Sequence, residues 1–287
     1  MFFKIAIYHG QELVTRKLES DKFELEKLGK DSSLKLNQSI KLDVRIKDLH
    51  RCAKLCLSLY CVSKKKREFF SIGWISLNIF DYNGYLINGK KKLYLWQTTQ
   101  NSFLNLCLSD VTGQNPNKDY IRLNIEFLKN RQSNQMILYP NKEKIKCFFK
   151  RTSHNSQDDC FDVSYALEND NSLLESILSK DALAELTEQE KNVLWRRRED
   201  CINYPHSLPK LLQTVKWSNH LDVIEIYNLL YKWPDIKPIV AIELLHSIHS
   251  DIEVRNFAVK CLDKHMKDEE VQQYLLQLVQ VIHHIYI

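Results

Sequence analysis

The sequence predicts two domains of different class, an antiparallel β-sandwich followed by an α-helical array of armadillo or HEAT character. Three observations predict it. Apolar residues alternate with period two in the first half, recur with helical spacing in the second, and a polar stretch separates the two regimes. The 287 residues are also long for one domain, since domains hold roughly 100 to 200 residues.

In the first half, Leu34, Leu36, Ile40, Leu42, Val44 and Ile46 keep mostly to one parity, which predicts a half-buried strand. Leu55, Leu57 and Leu59 repeat the pattern, then Leu93 and Leu95, then Ile121, Leu123, Ile125 and Phe127. Asp81-Tyr82-Asn83-Gly84 and Asn115-Pro116-Asn117 read as turns between them, and short strands so punctuated predict a sandwich. Between residues 129 and 157 the chain passes through RQSNQ, PNKEK and SHNSQDD, while Cys147-Phe148-Phe149 suggests partial packing. The expected division is a sandwich over 1–140, a partly packed linker over 141–165 and a helical domain over 166–287.

In the second half, Thr187 followed by Glu190 reads as a capping box opening a helix that carries Val193, Leu194 and Trp195. Val223, Ile226, Tyr227 and Leu230 form one stripe, Ala241, Leu245 and Ile248 another, and Phe257, Cys261 and Leu262 a third. Pro205, Pro209, Pro234 and Pro238 mark the breaks. Val271, Tyr274, Leu275, Leu278, Val279 and Ile282 predict a long amphipathic helix at the end. The helices share no repeated motif, so an irregular bundle is the alternative architecture.

Hydrophobic residues make up 44% and charged residues 27%, the composition of a folded chain rather than a disordered one. A net charge of +5 is too mild to imply nucleic acid, so basic recognition must come from local clusters. The eight cysteines contain no C-x-x-C pair and read as reduced, mostly core thiols. No window approaches the roughly 18 apolar residues of a membrane span, and a cytoplasmic protein is expected.

The six glycines, at 10, 29, 73, 84, 89 and 113, are isolated, and G-x-x-x-x-G-K, G-x-G-x-x-G, D-F-G and H-R-D are absent. No catalysis, no metal and no cofactor are expected of these residues. His246 and His249 stand three apart on a predicted helix, but no third ligand accompanies them. Trp195, Trp217 and Trp233 lie beside apolar stripes and read as core. Arg196, Arg197 and Arg198 fan around a helix and read as a solvated face.

The segment LTEQEKNVLWRRREDCINYPHSLPKLLQTVKW resembles the opening of the helical domain of class I phosphoinositide 3-kinase catalytic subunits. YKWPDIKP, AIELL, VRNFAVKCL and QYLLQLVQV continue that resemblance. LYCVSKKKREFFSIGWISLNIFDYNGYLINGKKKLYLW and VTGQNPN resemble the family's C2-type sandwich. The resemblance thus implies a C2 domain followed by a helical PIK domain, without the kinase domain. QLVQV runs into IHHIYI where the family leads on towards its kinase lobes, which implies a fragment, a splice form or an incomplete gene model. A longer product would transfer the ATP γ-phosphate to the 3-hydroxyl of phosphoinositides with magnesium.

Lys64, Lys65, Lys66 and Arg67 form a cationic run between two expected strands, and four cations attract anionic lipid at about 1 kcal/mol each. Lys90, Lys91 and Lys92 would add to that basic face if the sandwich brings the segments together. The family docks on membranes, so peripheral recruitment to anionic phospholipid is expected; a solvated loop is the alternative. No aspartate cluster accompanies the run, so a calcium bridge lacks its oxygen ligands. Glu185, Glu188 and Gln189 surround the start of the capped helix, where the helix dipole already favours carboxylates. By resemblance, these positions meet a basic surface on an SH2-containing regulatory subunit. The alternative function is a stand-alone interaction protein that competes for such subunits.

Overall fold

The computed structural model describes residues 1–24, 34–62, 69–98, 112–128, 136–141, 143–145, 147, 167–180, 184–246 and 248–286. Two compact units are present, one built on Met1–Tyr139 and the other on Pro140–Val281.

The first unit is antiparallel β. Its strands are β1 (Phe2–His9), β2 (Glu12–Leu13), β3 (Leu18–Glu19), β4 (Lys54–Val62), β5 (Phe69–Asn78), β6 (Gly89–Tyr94), β7 (Trp96–Gln97) and β8 (Arg122–Phe127). One sheet runs β2-β1-β4-β5-β7, with β3 also on β1, and β6 and β8 form a separate ribbon. Leu57 sits opposite both Ile5 and Ile75, so the centre of the large sheet is aliphatic. Phe3, Ile5, Ile7, Leu55, Leu57, Leu59, Ile75 and Leu77 form one apolar cluster with Leu93 and Leu95. Leu123, Ile125 and Phe127 of β8 pack against that cluster, so the sheet and the ribbon share a core.

Two local devices hold the strands in place. At the end of β5 the Gly84 N–H donates to Asp81 O at 2.9 Å and the Tyr85 N–H to Asp81 Oδ1 at 2.8 Å. Gly84 closes that turn with φ +87°, a conformation that favours glycine. At Gly73 an added Cβ would lie 3.2 Å from both Leu95 Cβ and Trp96 O, so glycine lets β5 approach β7 closely.

One expectation fails here. Residues 34–46 form no strand; Leu34 and Leu36 are exposed, Asn37 takes φ 43°, and a 3-10 turn spans Ile46–Asp48. The left-handed residue breaks the extended backbone, so the alternation cannot lead into a ladder. Ile40, Leu42 and Val44 still pack partly on the core, which accounts for the pattern. Conversely, β1 and β5 were not anticipated: both carry apolar residues on both faces and lack a clean period of two.

The second unit is helical. It holds α1 (Leu167–Ser179), α2 (Glu188–Arg196), α3 (Leu208–Leu212), α4 (His220–Lys232), α5 (Pro238–Leu244), α6 (Ile252–His265) and, as far as Val281, α7 (Asp268–Tyr286). The expected punctuation is present, with Pro209 and Pro238 in the first turns of α3 and α5 and Pro205 opening a 3-10 turn. Helix α1 packs on α2, α3 on α2 and α5, and α6 on α4 and α5. Leu194, Leu208, Leu211, Ile226, Leu244 and Val254 sit at the centre of their core, with Trp217 and Trp233 buried among them. Helix α7 forms as its spacing predicts, yet Val271, Leu275 and Val279 of its apolar stripe are exposed.

Candidate functional site

Two surfaces carry the predicted site residues. The first is the start of α2. Thr187 caps the helix: the Glu190 N–H donates to Thr187 Oγ1 at 3.3 Å, and the Thr187 N–H donates to Glu190 Oε2 at 2.9 Å. Lys180 also donates to the Glu190 carboxylate, and this contact, with the Thr187 N–H, holds that carboxyl below the usual range. Leu186 is buried just before the cap, so the segment is anchored on both sides of Thr187.

That anchoring leaves Glu185, Glu188 and Gln189 exposed. Glu188 accepts from Lys191 Nζ at 2.9 Å, an exposed pair worth less than about 1 kcal/mol. Among the described residues no ion pair reaches Glu185. The two carboxylates and the amide therefore stand around a capped helix start, exposed to solvent.

The second surface is the β6–β8 ribbon. Lys90, Lys91 and Lys92 lie within β6 itself and are exposed. Strand alternation separates them: Lys91 pairs with Ile125 on the side of Leu93 and Leu123, whereas Lys90 and Lys92 project from the opposite side. Lys64, Lys65, Lys66 and Arg67 fall between β4 and β5 and lie outside the described residues.

The arginine run is engaged in structure. Arg197 Nε donates to Asp200, Arg198 donates to Glu225 at 3.1 and 3.2 Å, and the Arg198 guanidinium lies over the Trp195 ring at 5.2 Å. A groove of about 320 Å³ lies between α4 and α6, lined by Tyr227, Tyr231, Trp233, Phe257 and Cys261. Burial pushes the Cys261 thiol up, so it is a protonated, weak nucleophile at neutral pH. His249 is buried and pushed down to about 4, first by desolvation and then by His246 and Arg255, so it is neutral at pH 7.

An antiparallel β unit followed by a Gly-free helical unit matches two known domains in the same order. Residues 1–137 match the model described as phosphoinositide 3-kinase C2, and residues 164–285 match the phosphoinositide 3-kinase family accessory domain, or PIK domain. The chain belongs to the phosphoinositide 3-kinase family. It is 29% identical to phosphatidylinositol 3-kinase 3 of Dictyostelium discoideum over 99% of its own length and 16% of that relative. It is 32% identical to phosphatidylinositol 3-kinase 1 of the same organism, covering 75% of this chain and 13% of the relative. It is 31% identical to the phosphatidylinositol 4-phosphate 3-kinase C2 domain-containing subunit alpha of Pongo abelii, covering 77% of this chain and 12% of that protein. These residues thus carry the C2 and PIK portions of a phosphoinositide 3-kinase and span under a fifth of each relative.

Two structural details of these domains were not legible in the sequence. Arg122 comes to lie opposite Tyr94 and diagonal to Lys92 only through the β6–β8 register. Lys210, buried in α3, donates to the carbonyls of Ile177 and Leu178 at 3.0 and 3.1 Å and to that of Lys180, fixing the end of α1 beside the α2 cap.

Proposed function

We propose that these residues are the membrane-docking and scaffolding part of a phosphatidylinositol 3-kinase catalytic subunit. The observation that carries the reading is the pairing, in one chain, of a phosphoinositide 3-kinase C2 unit and a PIK unit. The longer protein would phosphorylate the 3-hydroxyl of phosphoinositides with ATP and magnesium. In it, the C2 unit docks on anionic phospholipid through Lys64, Lys65, Lys66 and Arg67 and through the basic strand β6. No helix among the described residues is long and apolar enough to cross a membrane, which fits peripheral recruitment from the cytoplasm.

The PIK unit supplies a rigid spine, an armadillo- or HEAT-like stack, and an acidic contact for an SH2-containing regulatory subunit at Glu185, Glu188 and Gln189. Its exposure on a doubly anchored helix start supports that role. Co-sedimentation of the chain with vesicles tests the docking. Salt-sensitive binding to phosphatidylserine vesicles, with none to pure phosphatidylcholine, is the expected result. Equal binding to both, or to neither, overturns it. Capture by an SH2-containing subunit tests the contact: Glu185→Lys with Glu188→Lys should weaken it, and unchanged capture rejects it.

A further inference from the structure

We infer that the outward face of the β6–β8 ribbon is itself an anionic-lipid contact, made by Lys90, Lys92 and Arg122 and excluding Lys91. This rests on the membrane-docking reading and adds to it a face, a missing arginine and a residue that does not take part.

The register makes the assignment. Lys90 pairs with Glu126, Lys92 with Asn124 and Tyr94 with Arg122, while Lys91, Leu93, Leu123 and Ile125 alternate to the other side. Leu93 is buried, and Leu123 and Ile125 pack on the sandwich core, so that other side is the inward one. Lys90, Lys92, Arg122, Asn124 and Glu126 are exposed. Neighbouring positions on one face of a strand are roughly 7 Å apart, and diagonal cross-strand neighbours are spaced similarly. Lys92 therefore lies within one side-chain length of both Lys90 and Arg122.

Among the described residues neither Lys92 nor Arg122 is held in an ion pair, and the face carries three cations against the single carboxylate of Glu126. Half-buried Tyr94 lies beside Arg122 and offers an amphipathic ring of the kind that suits a headgroup layer. A row of cations on a twisted ribbon that a flat anionic surface can reach is complementary to phospholipid headgroups. Lysines also protect sheet edges against pairing, but that role does not distinguish Lys91 from its neighbours.

The test compares variants of the full chain on phosphatidylcholine vesicles with and without phosphatidylserine. Lys90→Glu, Lys92→Glu and Arg122→Glu combined should weaken binding by roughly a hundredfold, at roughly fivefold per cation, while Lys91→Glu changes it by less than about threefold. Glu126→Gln should strengthen binding. The single variants Lys92→Gln and Arg122→Gln, each losing roughly fivefold, serve if the triple variant melts early. Equal losses for Lys91→Glu and Lys92→Glu overturn the face assignment. Unchanged vesicle binding by the triple variant, with loss on reversing Lys64, Lys65, Lys66 and Arg67, overturns the ribbon contact and leaves the docking reading standing. Loss of SH2-subunit capture with vesicle binding intact overturns it in favour of a protein contact. If the unaltered chain ignores phosphatidylserine, the docking reading falls and this inference with it.

Discussion

Lys210 is 5% exposed and carries its ammonium into the carbonyl end of α1, where the last turn leaves its C=O groups without intrahelical donors. It therefore does for α1 what Thr187 does for α2. Lys210→Met keeps the stem and removes the donor, so the carbonyls of Ile177, Leu178 and Lys180 lose a buried partner. A loss of about 2–4 kcal/mol is expected in urea unfolding. At His249 the folded pKa of about 4 lies below the ordinary 6.5. A base depressed by folding leaves the unfolded state binding more protons between those values, so its contribution is complete above pH 6.5 and lost as pH falls towards 4. The difference amounts to about 3 kcal/mol at most. Unfolding curves across that window should slope less in His249→Gln; an unaltered slope would show that His249 is protonated without cost.

At the scale of the element, the α2 cap and the β5–β7 crossing make opposite demands. The cap needs a hydroxyl: Thr187→Ala leaves the Glu190 N–H without its acceptor and should cost about 1 kcal/mol. Glu185→Lys, two residues earlier and exposed, should leave the melting temperature nearly unchanged, which separates a partner contact from a structural one. The crossing needs the absence of a side chain. Gly73→Val would press on Leu95 and the Trp96 carbonyl and should destabilise the β unit by about 1–3 kcal/mol, read as a lower denaturation midpoint. Periodicity marked α4, α6 and α7 because an amphipathic stripe depends on residues three and four apart, but the stripe Ala241, Leu245 and Ile248 overran α5, which ends at Leu244, and α1 and α3 went unmarked. It failed at residues 34–46, where Asn37 turns the backbone left-handed.

For the whole molecule, a net charge of +5 is small, so lipid binding should depend on where cations gather and fall steeply as salt rises from about 0.1 M to 1 M. The melting temperature should shift little over the same range, because both cores are apolar. The order β then α, the turns at Asp81 and Asn115, the proline breaks and the capping box at Thr187 were legible in the sequence by itself. Each rests on interactions between residues a few positions apart, which a linear pattern records. Only the tertiary structure decided that Arg122 comes to lie beside Lys92 on one face, and that Lys210 closes α1. Those outcomes depend on strand register and on contacts some thirty residues apart, set by which apolar faces bury together, and no local periodicity carries that information.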